Sequence, residues 1–271
     1  MKLKSVFYFR AMKSRLMNSF RKIFRFCFSI YGFAVFLLWM FILLPLFVWA
    51  FLEKPIKGGN LIYKFSRFWA DAFFLMLGIK HWNIYEAAFD RNAEYIFVSN
   101  HISYLDIPMI MKVIRKQHIR VLAKAEMNKI PIFGSIYKRG TVSVDRDNPV
   151  ARSKSIHKLV AFIHQKISVF ICPEGTFNTT HRPLKSFYDG AFKIAIETQR
   201  PIQPILFLDT YDRLNYKSIF SLNPGRCRGV YLSQTATEGL TMKDVSFLKE
   251  KIFRQMGEAL VRYEATWIKK V

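Results

Sequence analysis

Hydrophobic and polar positions divide the 271-residue chain into two parts. The first 25 residues are rich in Lys and Arg, an uncharged run follows from Phe26 to Leu52, and a second apolar segment covers 61–79. From about residue 80, short β-rich runs alternate with segments of helical period. This alternation predicts an N-terminal anchoring part at 1–79 and an α/β domain at 80–271, in which helices flank one central mixed sheet.

The apolar runs of the second part predict seven strands and five helices. The strands are expected near 82–86, 95–99, 120–123, 141–144, 168–172, 202–208 and 229–232. The helices are expected near 105–116, 132–138, 150–165, 190–197 and 245–263.

The uncharged run is long enough to act as a membrane anchor. As a helix its 27 residues would measure about 40 Å, against a hydrocarbon core of about 30 Å. Eight basic and no acidic residues precede it, which favours a cytoplasmic N-terminus. Because Pro45 lies inside the run and Lys54 and Lys57 follow it, two interpretations stay open. The helix either crosses the membrane or breaks near Pro45 and returns.

The segment 61–79 has the pattern of an amphipathic helix. Lys64, Arg67 and Asp71 share one face and aromatic residues occupy the other. This favours a helix that lies at a membrane interface over one that only covers a sheet. Pro55 and the pair at 58–59, both glycine, predict a turn before it.

Composition narrows the class of partner. The formal net charge of +23 indicates an anionic partner such as nucleic acid, anionic lipid or an acidic carrier protein. The cations concentrate around the apolar run, which favours lipid over nucleic acid. The three cysteines are scattered, so neither a disulfide framework nor a metal site is expected.

The segment NHISYLDIP, at 100–108, carries the strongest chemical signal. Five positions separate His101 from Asp106, so on one helix the two side chains would point about 140° apart. They can meet if His101 follows a strand and Asp106 opens the next helix. The pair would then be a general base and the carboxylate that orients it, although a structural His and a first-turn Asp would give the same spacing.

Three further segments are weak signals individually. CPEGT at 172–176 follows an apolar strand and places Glu174 at the rim of the sheet. FGSIYKRGTVSVDR at 133–146 places cations near strand ends, as phosphate recognition requires. PIQPI at 201–205 opens a late strand.

In this order and spacing, the four segments resemble the motifs of the glycerolipid acyltransferase superfamily, most closely the bacterial 1-acylglycerol-3-phosphate acyltransferases. The resemblance covers about residues 80–210. It implies transfer of a fatty acyl group from a thioester to the free hydroxyl of lysophosphatidate, forming phosphatidate. The donor would be acyl carrier protein or coenzyme A, with no metal or other cofactor. The location implied is the cytoplasmic face of a bacterial inner membrane.

The resemblance also implies roles for individual residues. His101 would act as the base and Asp106 as its orienting carboxylate. Glu174 and Gly175 would hold the glycerol-phosphate part of the acceptor. Further substrate contacts are expected from the PEGT turn, the second motif and the basic strand end AKAEM, at Thr176, Arg139, Arg146 and Lys124.

One position departs from the pattern. Many members continue the third motif with arginine, whereas this chain has Phe177. A phosphate contact would then be absent or supplied by Lys185 or Arg182, and another lyso-lipid or an aminolipid is the alternative acceptor.

Two alternatives concern the chemistry itself. Cys172 is a possible acyl-enzyme nucleophile, but its position at the end of an apolar strand favours a small buried side chain. More distantly, the chain would be a basic membrane-binding or nucleic-acid-binding protein without catalysis.

Overall fold

Among the residues that the structure describes, seven strands form one mixed sheet, as the alternating pattern predicts. The computed structural model describes residues 2–130, 133–145 and 148–269, with side chains from residue 16 onward except at position 18. The strands are β1 (Ile79–Tyr85), β2 (Ile96–Ser99), β3 (Ile119–Lys124), β4 (Thr141–Val144), β5 (Ser168–Ile171), β6 (Ile202–Phe207) and β7 (Gly225–Tyr231). Their order across the sheet is β1-β7-β6-β2-β5-β3-β4. All neighbours are parallel except β6 and β7.

The described residues include eight α-helices. They are α1 (Lys2–Leu52), α2 (Pro55–Met76), α3 (Asp106–Val113), α4 (Phe133–Gly140), α5 (Pro149–His164), α6 (Gly190–Thr198), α7 (Thr210–Arg213) and α8 (Val245–Arg262). Short 3₁₀ turns occur at Ala125–Lys129, Ile219–Ser221 and Met242–Asp244. The pattern did not predict these turns or α7, which are too short to show a period. Helix α3 ends three residues earlier than expected, because Ile114 has an extended backbone.

The central strands are apolar on both faces, so the sheet separates two cores. In β2, Ile96 and Val98 contact the core formed with α5, α6 and α8. Phe97, between them, contacts the core formed with α1, α2 and α3. Helices therefore cover both faces of the sheet.

Helix α1 continues through Pro45 without interruption, so the break expected as one alternative does not occur. Its 51 residues correspond to about 75 Å of helix. Leu43 and Phe47, on either side of Pro45, are buried against α2, which holds this stretch in place. Aromatic contacts such as Phe36 on Trp69, at 5.5 Å between centroids, extend the α1–α2 hairpin along its length.

The turn predicted around Pro55 is wrong in position. The chain reverses at residues 53–54, Pro55 opens α2, and Gly58 and Gly59 lie inside that helix. The two glycines permit close approach: a Cβ at Gly58 would overlap the carbonyl of Ala50, and one at Gly59 would overlap the guanidinium of Arg120. Tertiary packing, not a turn, requires them.

The charged side of α2, which the pattern places on one face of an amphipathic helix, contacts other segments of the protein. Arg67 donates to the carbonyls of Ile114 and Gln117, at 3.0 and 2.5 Å. Asp71 pairs with Lys112 at 2.5 Å and with Arg115 at 2.7 Å. These contacts fix α2 to α3 and to the segment that follows it. Helix α2 therefore joins the hairpin to the α/β domain.

Candidate active site

The candidate residues gather at one edge of the sheet because four neighbouring parallel strands end there. His101 follows β2, the Cys172–Thr176 turn follows β5, Lys124 ends β3 and Asp145 follows β4. These strands are adjacent in the order β2-β5-β3-β4. Open α/β sheets bind their ligands at this carboxyl edge.

His101 and Asp106 are in direct contact at this edge. The Nδ1 atom of His101 lies 2.9 Å from Oδ2 of Asp106. Asp106 is the first residue of α3, and the loop between strand and helix supplies the separation that a single helix would not allow. Because the carboxylate accepts from Nδ1–H, the lone pair of the imidazole is on Nε2. The His101 side chain is 23% exposed and Asp106 is 1% exposed.

Main-chain donors fix the carboxylate of Asp106. The N–H groups of Ile102 and Ser103 donate to the same Oδ2 atom, at 2.8 and 2.9 Å. The Ser103 hydroxyl donates to the carbonyl of Leu214 and accepts from the N–H of Leu105 at 2.9 Å. The loop that carries His101 is thus tied both to the start of α3 and to the segment after α7.

Glu174 does not occupy the place expected of an acceptor-binding residue. It is fully buried, and its carboxylate accepts from the N–H of His101 at 2.9 Å and from the N–H of Lys185 at 2.8 Å. The N–H of Asn178 donates to the carbonyl of His101 at 2.8 Å. With both oxygens engaged on main-chain groups and no exposed surface, Glu174 positions the His101 loop instead of contacting a substrate.

Gly175 and Thr176 are placed differently from Glu174. Gly175 has a φ of +72°, and a Cβ there would lie 2.7 Å from the ring of Tyr188, so the turn requires glycine. Thr176 is exposed, and its Oγ1 accepts from Nζ of Lys185 at 2.8 Å. Lys185 therefore reaches this turn. It is one of the two cations expected to replace the arginine that is absent at position 177.

The side chain of Phe177 packs directly on His101. The two ring centroids are 4.4 Å apart. The ring of Tyr104 packs edge-on against Phe177, with 5.0 Å between the centroids. Tyr216 lies 6.2 Å from Phe177. The residue that breaks the family pattern therefore forms an aromatic wall beside the imidazole.

The other cations named from the sequence are not all at this edge. Lys124 is at the end of β3, half exposed, and pairs with Glu126 at 3.2 Å. Arg139 points away: its guanidinium donates to the carbonyls of Phe51 and Glu53, where it caps the end of α1. The structure therefore places Arg139 at the end of α1 and not beside His101, whereas the resemblance implies a substrate contact. Arg146 lies outside the described residues.

Two asparagines that the sequence reasoning missed also hold the site together. Asn100 is buried; its amide donates to the carbonyl of Phe207 at 3.1 Å and accepts from the N–H of Phe207 at 2.9 Å, which joins β2 to β6. Asn178 donates to the carbonyl of Arg182 at 2.9 Å. The sequence indicates a role for these asparagines only through their positions, one beside His101 and one just after PEGT.

The buried carboxyl of Glu174 predicts how the stability of the protein depends on pH. Burial raises the pKa of its carboxyl to about 8, while the N–H donors of Lys185 and His101 act in the opposite direction. An unfolded chain releases this proton near the ordinary value of 4.5. Between about pH 5 and 8 the folded state thus holds a proton that the unfolded state has lost, and the free energy of unfolding falls as pH rises.

Glu174→Gln removes this titration. We expect the stability of the wild-type protein relative to the variant to decrease from pH 5.5 to pH 8.5, measured by thermal unfolding in detergent. Glu197→Gln, at an exposed position of α6, is the matched control. A difference that is constant over this range would contradict the prediction.

Fold and site together define an α/β protein with a buried carboxylate orienting a partly exposed histidine at the carboxyl edge of its sheet. A family model described as Acyltransferase matches residues 82–208, which include the whole of this constellation. Over these residues the chain is therefore similar to the acyltransferase family.

Individual proteins are similar over parts of the chain. The mouse 1-acyl-sn-glycerol-3-phosphate acyltransferase alpha is 32% identical over 171 residues, 62% of this chain and 59% of that protein. The coconut 1-acyl-sn-glycerol-3-phosphate acyltransferase is 36% identical over 122 residues, 44% of this chain and 39% of that protein. The matches thus span less than two thirds of these relatives.

A solved structure extends the comparison to the fold. The crystal structure of the 1-acyl-sn-glycerophosphate (LPA) acyltransferase PlsC from Thermotoga maritima superposes with a TM-score of 0.73. The match covers 92% of this chain and 100% of that chain at 19% identity. The N-terminal hairpin and the α/β domain therefore share a known overall architecture.

Proposed function

We propose that the protein transfers a fatty acyl group from a thioester to the free hydroxyl of lysophosphatidate, forming phosphatidate. The observation that carries this proposal is the 2.9 Å contact between His101 and Asp106 at the carboxyl edge of the sheet. The names of the similar mouse and coconut proteins support lysophosphatidate as the acceptor.

The chemistry follows from the arrangement of the pair. Nε2 of His101 accepts the proton of the acceptor hydroxyl while the oxygen attacks the thioester carbon. Asp106 stabilises the imidazolium that forms. The tetrahedral intermediate collapses as the C–S bond breaks, and the imidazolium returns the proton to the departing sulfur. The products are the acylated acceptor and the free thiol of coenzyme A or acyl carrier protein.

The test is transfer by the purified protein in detergent. Lysophosphatidate is supplied with an acyl thioester of coenzyme A or of acyl carrier protein, and the lipid product is identified by mass spectrometry. We expect phosphatidate with at least one donor. If neither donor gave phosphatidate while other lyso-lipids were acylated, lysophosphatidate would be excluded as the acceptor. The assignment to acyl transfer would remain.

Phe177 allows the choice of acceptor to be tested. An aromatic ring, not an arginine, lies against His101. We expect Phe177→Arg to raise the ratio of the rate with lysophosphatidate to the rate with lysophosphatidylethanolamine by about tenfold or more. The reason is that a charge-assisted hydrogen bond to a phosphate monoester stabilises a complex by this factor. Phe177→Leu is the control. An unchanged ratio in the arginine variant would show that the phosphate is held elsewhere.

Cys172 provides a test of the alternative nucleophile. Its Sγ lies 3.6 Å from Oγ of Ser99 at the end of β5, and no role falls to it in the proposed mechanism. We expect Cys172→Ala to retain activity within about threefold, measured with the same assay, because base catalysis by His101 needs no acyl-enzyme. A loss of activity as large as that of a His101 variant would favour covalent catalysis by Cys172.

Membrane attachment is proposed through α1. In the described residues α1 is the one helix long and apolar enough to cross a membrane, from Ser19 to Leu52. Its inner side packs on α2, and α2 packs on α3, so a perpendicular crossing would draw domain surface into the bilayer. The outer side exposes large apolar side chains such as Phe33 and Phe41. We place this side in the interface, parallel to the cytoplasmic surface of a bacterial inner membrane.

A further inference from the structure

A cationic cavity lies beside the N-terminal half of α2. Its volume is about 540 Å³. The titratable part of its lining comprises Lys54, Lys57, Lys64, Arg67 and His118, and none of the described residues that line it is Asp or Glu. Four cations and an imidazole thus line one opening, together with the uncharged Ile56, Asn60 and Leu61.

The cavity is separate from the candidate active site. His118 directly precedes β3, whereas Lys124 ends that strand at the edge where His101 lies. Six residues of strand correspond to about 20 Å. The cavity is therefore at the opposite edge of the sheet, and its lining shares no residue with the candidate active site.

Positive charge in the cavity is only partly balanced. Lys57 pairs with Glu53 at 2.8 Å, outside the lining. Lys54 and Lys64 form no ion pair with any described residue. Burial and then the neighbouring Arg115 lower the pKa of Arg67 to about 10. The pKa of His118 is also lowered, first by burial and then by Arg67 and Arg120. An anion in the cavity would relieve this repulsion.

Exposed apolar side chains accompany these cations. Phe51 and Leu52 end α1 just before Lys54, and Leu52 is 79% exposed. Phe68, one helical turn after Lys64, is 54% exposed. The cations suit the phosphate of a phospholipid, and the exposed apolar side chains beside them suit its acyl chains. An acidic carrier protein fits less well, since at this edge its thioester would be held far from His101.

We propose that this cavity binds the phosphate-bearing headgroup of an anionic phospholipid, separately from the acyl acceptor. The site would anchor the far end of the α1–α2 hairpin in the leaflet where the proposed membrane attachment places it. It requires no acyl transfer, so its test is independent of activity.

The experiment compares two variants with the same loss of charge. The site variant combines Lys54→Gln, Lys57→Gln and Lys64→Gln. The control combines Lys154→Gln, Lys158→Gln and Lys193→Gln, all exposed on α5 and α6 in the opposite layer. Binding is measured by flotation with phosphatidylcholine vesicles, with and without phosphatidylglycerol.

We expect both variants to bind pure phosphatidylcholine vesicles as the wild-type protein does. The enhancement by phosphatidylglycerol should fall about tenfold or more in the site variant only, since each lysine near an anionic surface contributes roughly fivefold. Equal losses in the two variants would overturn the proposal in favour of diffuse attraction, and so would an unchanged enhancement in the site variant. Loss of binding to acyl carrier protein without a change in flotation would also overturn it.

A second measurement separates lipid from free phosphate. Short-chain phosphatidylglycerol should raise the thermal unfolding temperature of the detergent-solubilised wild-type protein and not that of the site variant. Equal stabilisation by inorganic phosphate at the same concentration would overturn the lipid assignment.

Discussion

Replacement of His101 by alanine should reduce acyl transfer by about 10²–10⁴-fold, the range that a positioned general base contributes. The imidazole is partly exposed, and the main-chain N–H of position 101 still reaches Glu174 in the variant. Folding and vesicle binding should therefore be retained. The measurement is the initial rate of product formation with a saturating thioester donor, together with flotation on vesicles.

The matched control is His157→Ala, which removes an exposed imidazole from α5. We expect this variant to keep wild-type activity. A His101→Ala protein that is folded and still active would exclude the base mechanism, whatever the acceptor. A variant that is inactive but no longer binds vesicles would point to unfolding, and circular dichroism distinguishes that case.

Asp106→Asn should lower kcat by about 10²-fold or more with little change in KM for either substrate. One oxygen of Asp106 accepts from Nδ1 of His101 and from the N–H groups of Ile102 and Ser103. An asparagine oxygen at this place can accept the same three hydrogen bonds, so the ground-state geometry is preserved. The negative charge that stabilises the imidazolium is lost, and the effect appears in the transition state.

The control for this prediction is Asp189→Asn, which alters a partly exposed ion pair with Lys249 on the other side of the sheet. Its rate should remain within about twofold of the wild-type protein, since exposed pairs contribute little. If Asp106→Asn raised KM and left kcat unchanged, the carboxylate would act in binding instead of in orienting the imidazole.

The position of Phe177 connects these predictions with specificity. Its ring covers one side of the imidazole, and Tyr104 and Tyr216 extend the same aromatic surface. A headgroup that contacts this wall meets an apolar surface where many relatives are expected to present an arginine. Lys185 donates to Thr176, which brings a cation to the PEGT turn.

The pattern of residues along the chain is sufficient to predict the seven strands, most of the helices that flank them and the segment that carries the chemistry. Strands that are apolar on both faces must be covered on both sides, which is why runs such as Ile96–Ser99 predicted a central sheet with helices on each face. The separation of five positions between His101 and Asp106 required a loop before the helix, and this is a local constraint that a sequence pattern can express.

Roles that depend on contacts between distant segments are visible in the folded protein and not in the residue pattern. The family resemblance implies substrate contacts for Glu174 and Arg139, but Glu174 is buried on main-chain N–H groups and Arg139 caps α1. Gly58 and Gly59 indicated a turn, whereas they allow α1 and Arg120 to approach α2. Periodicity describes one segment at a time, so it does not reveal which carbonyl, ring or helix another segment will place against a side chain.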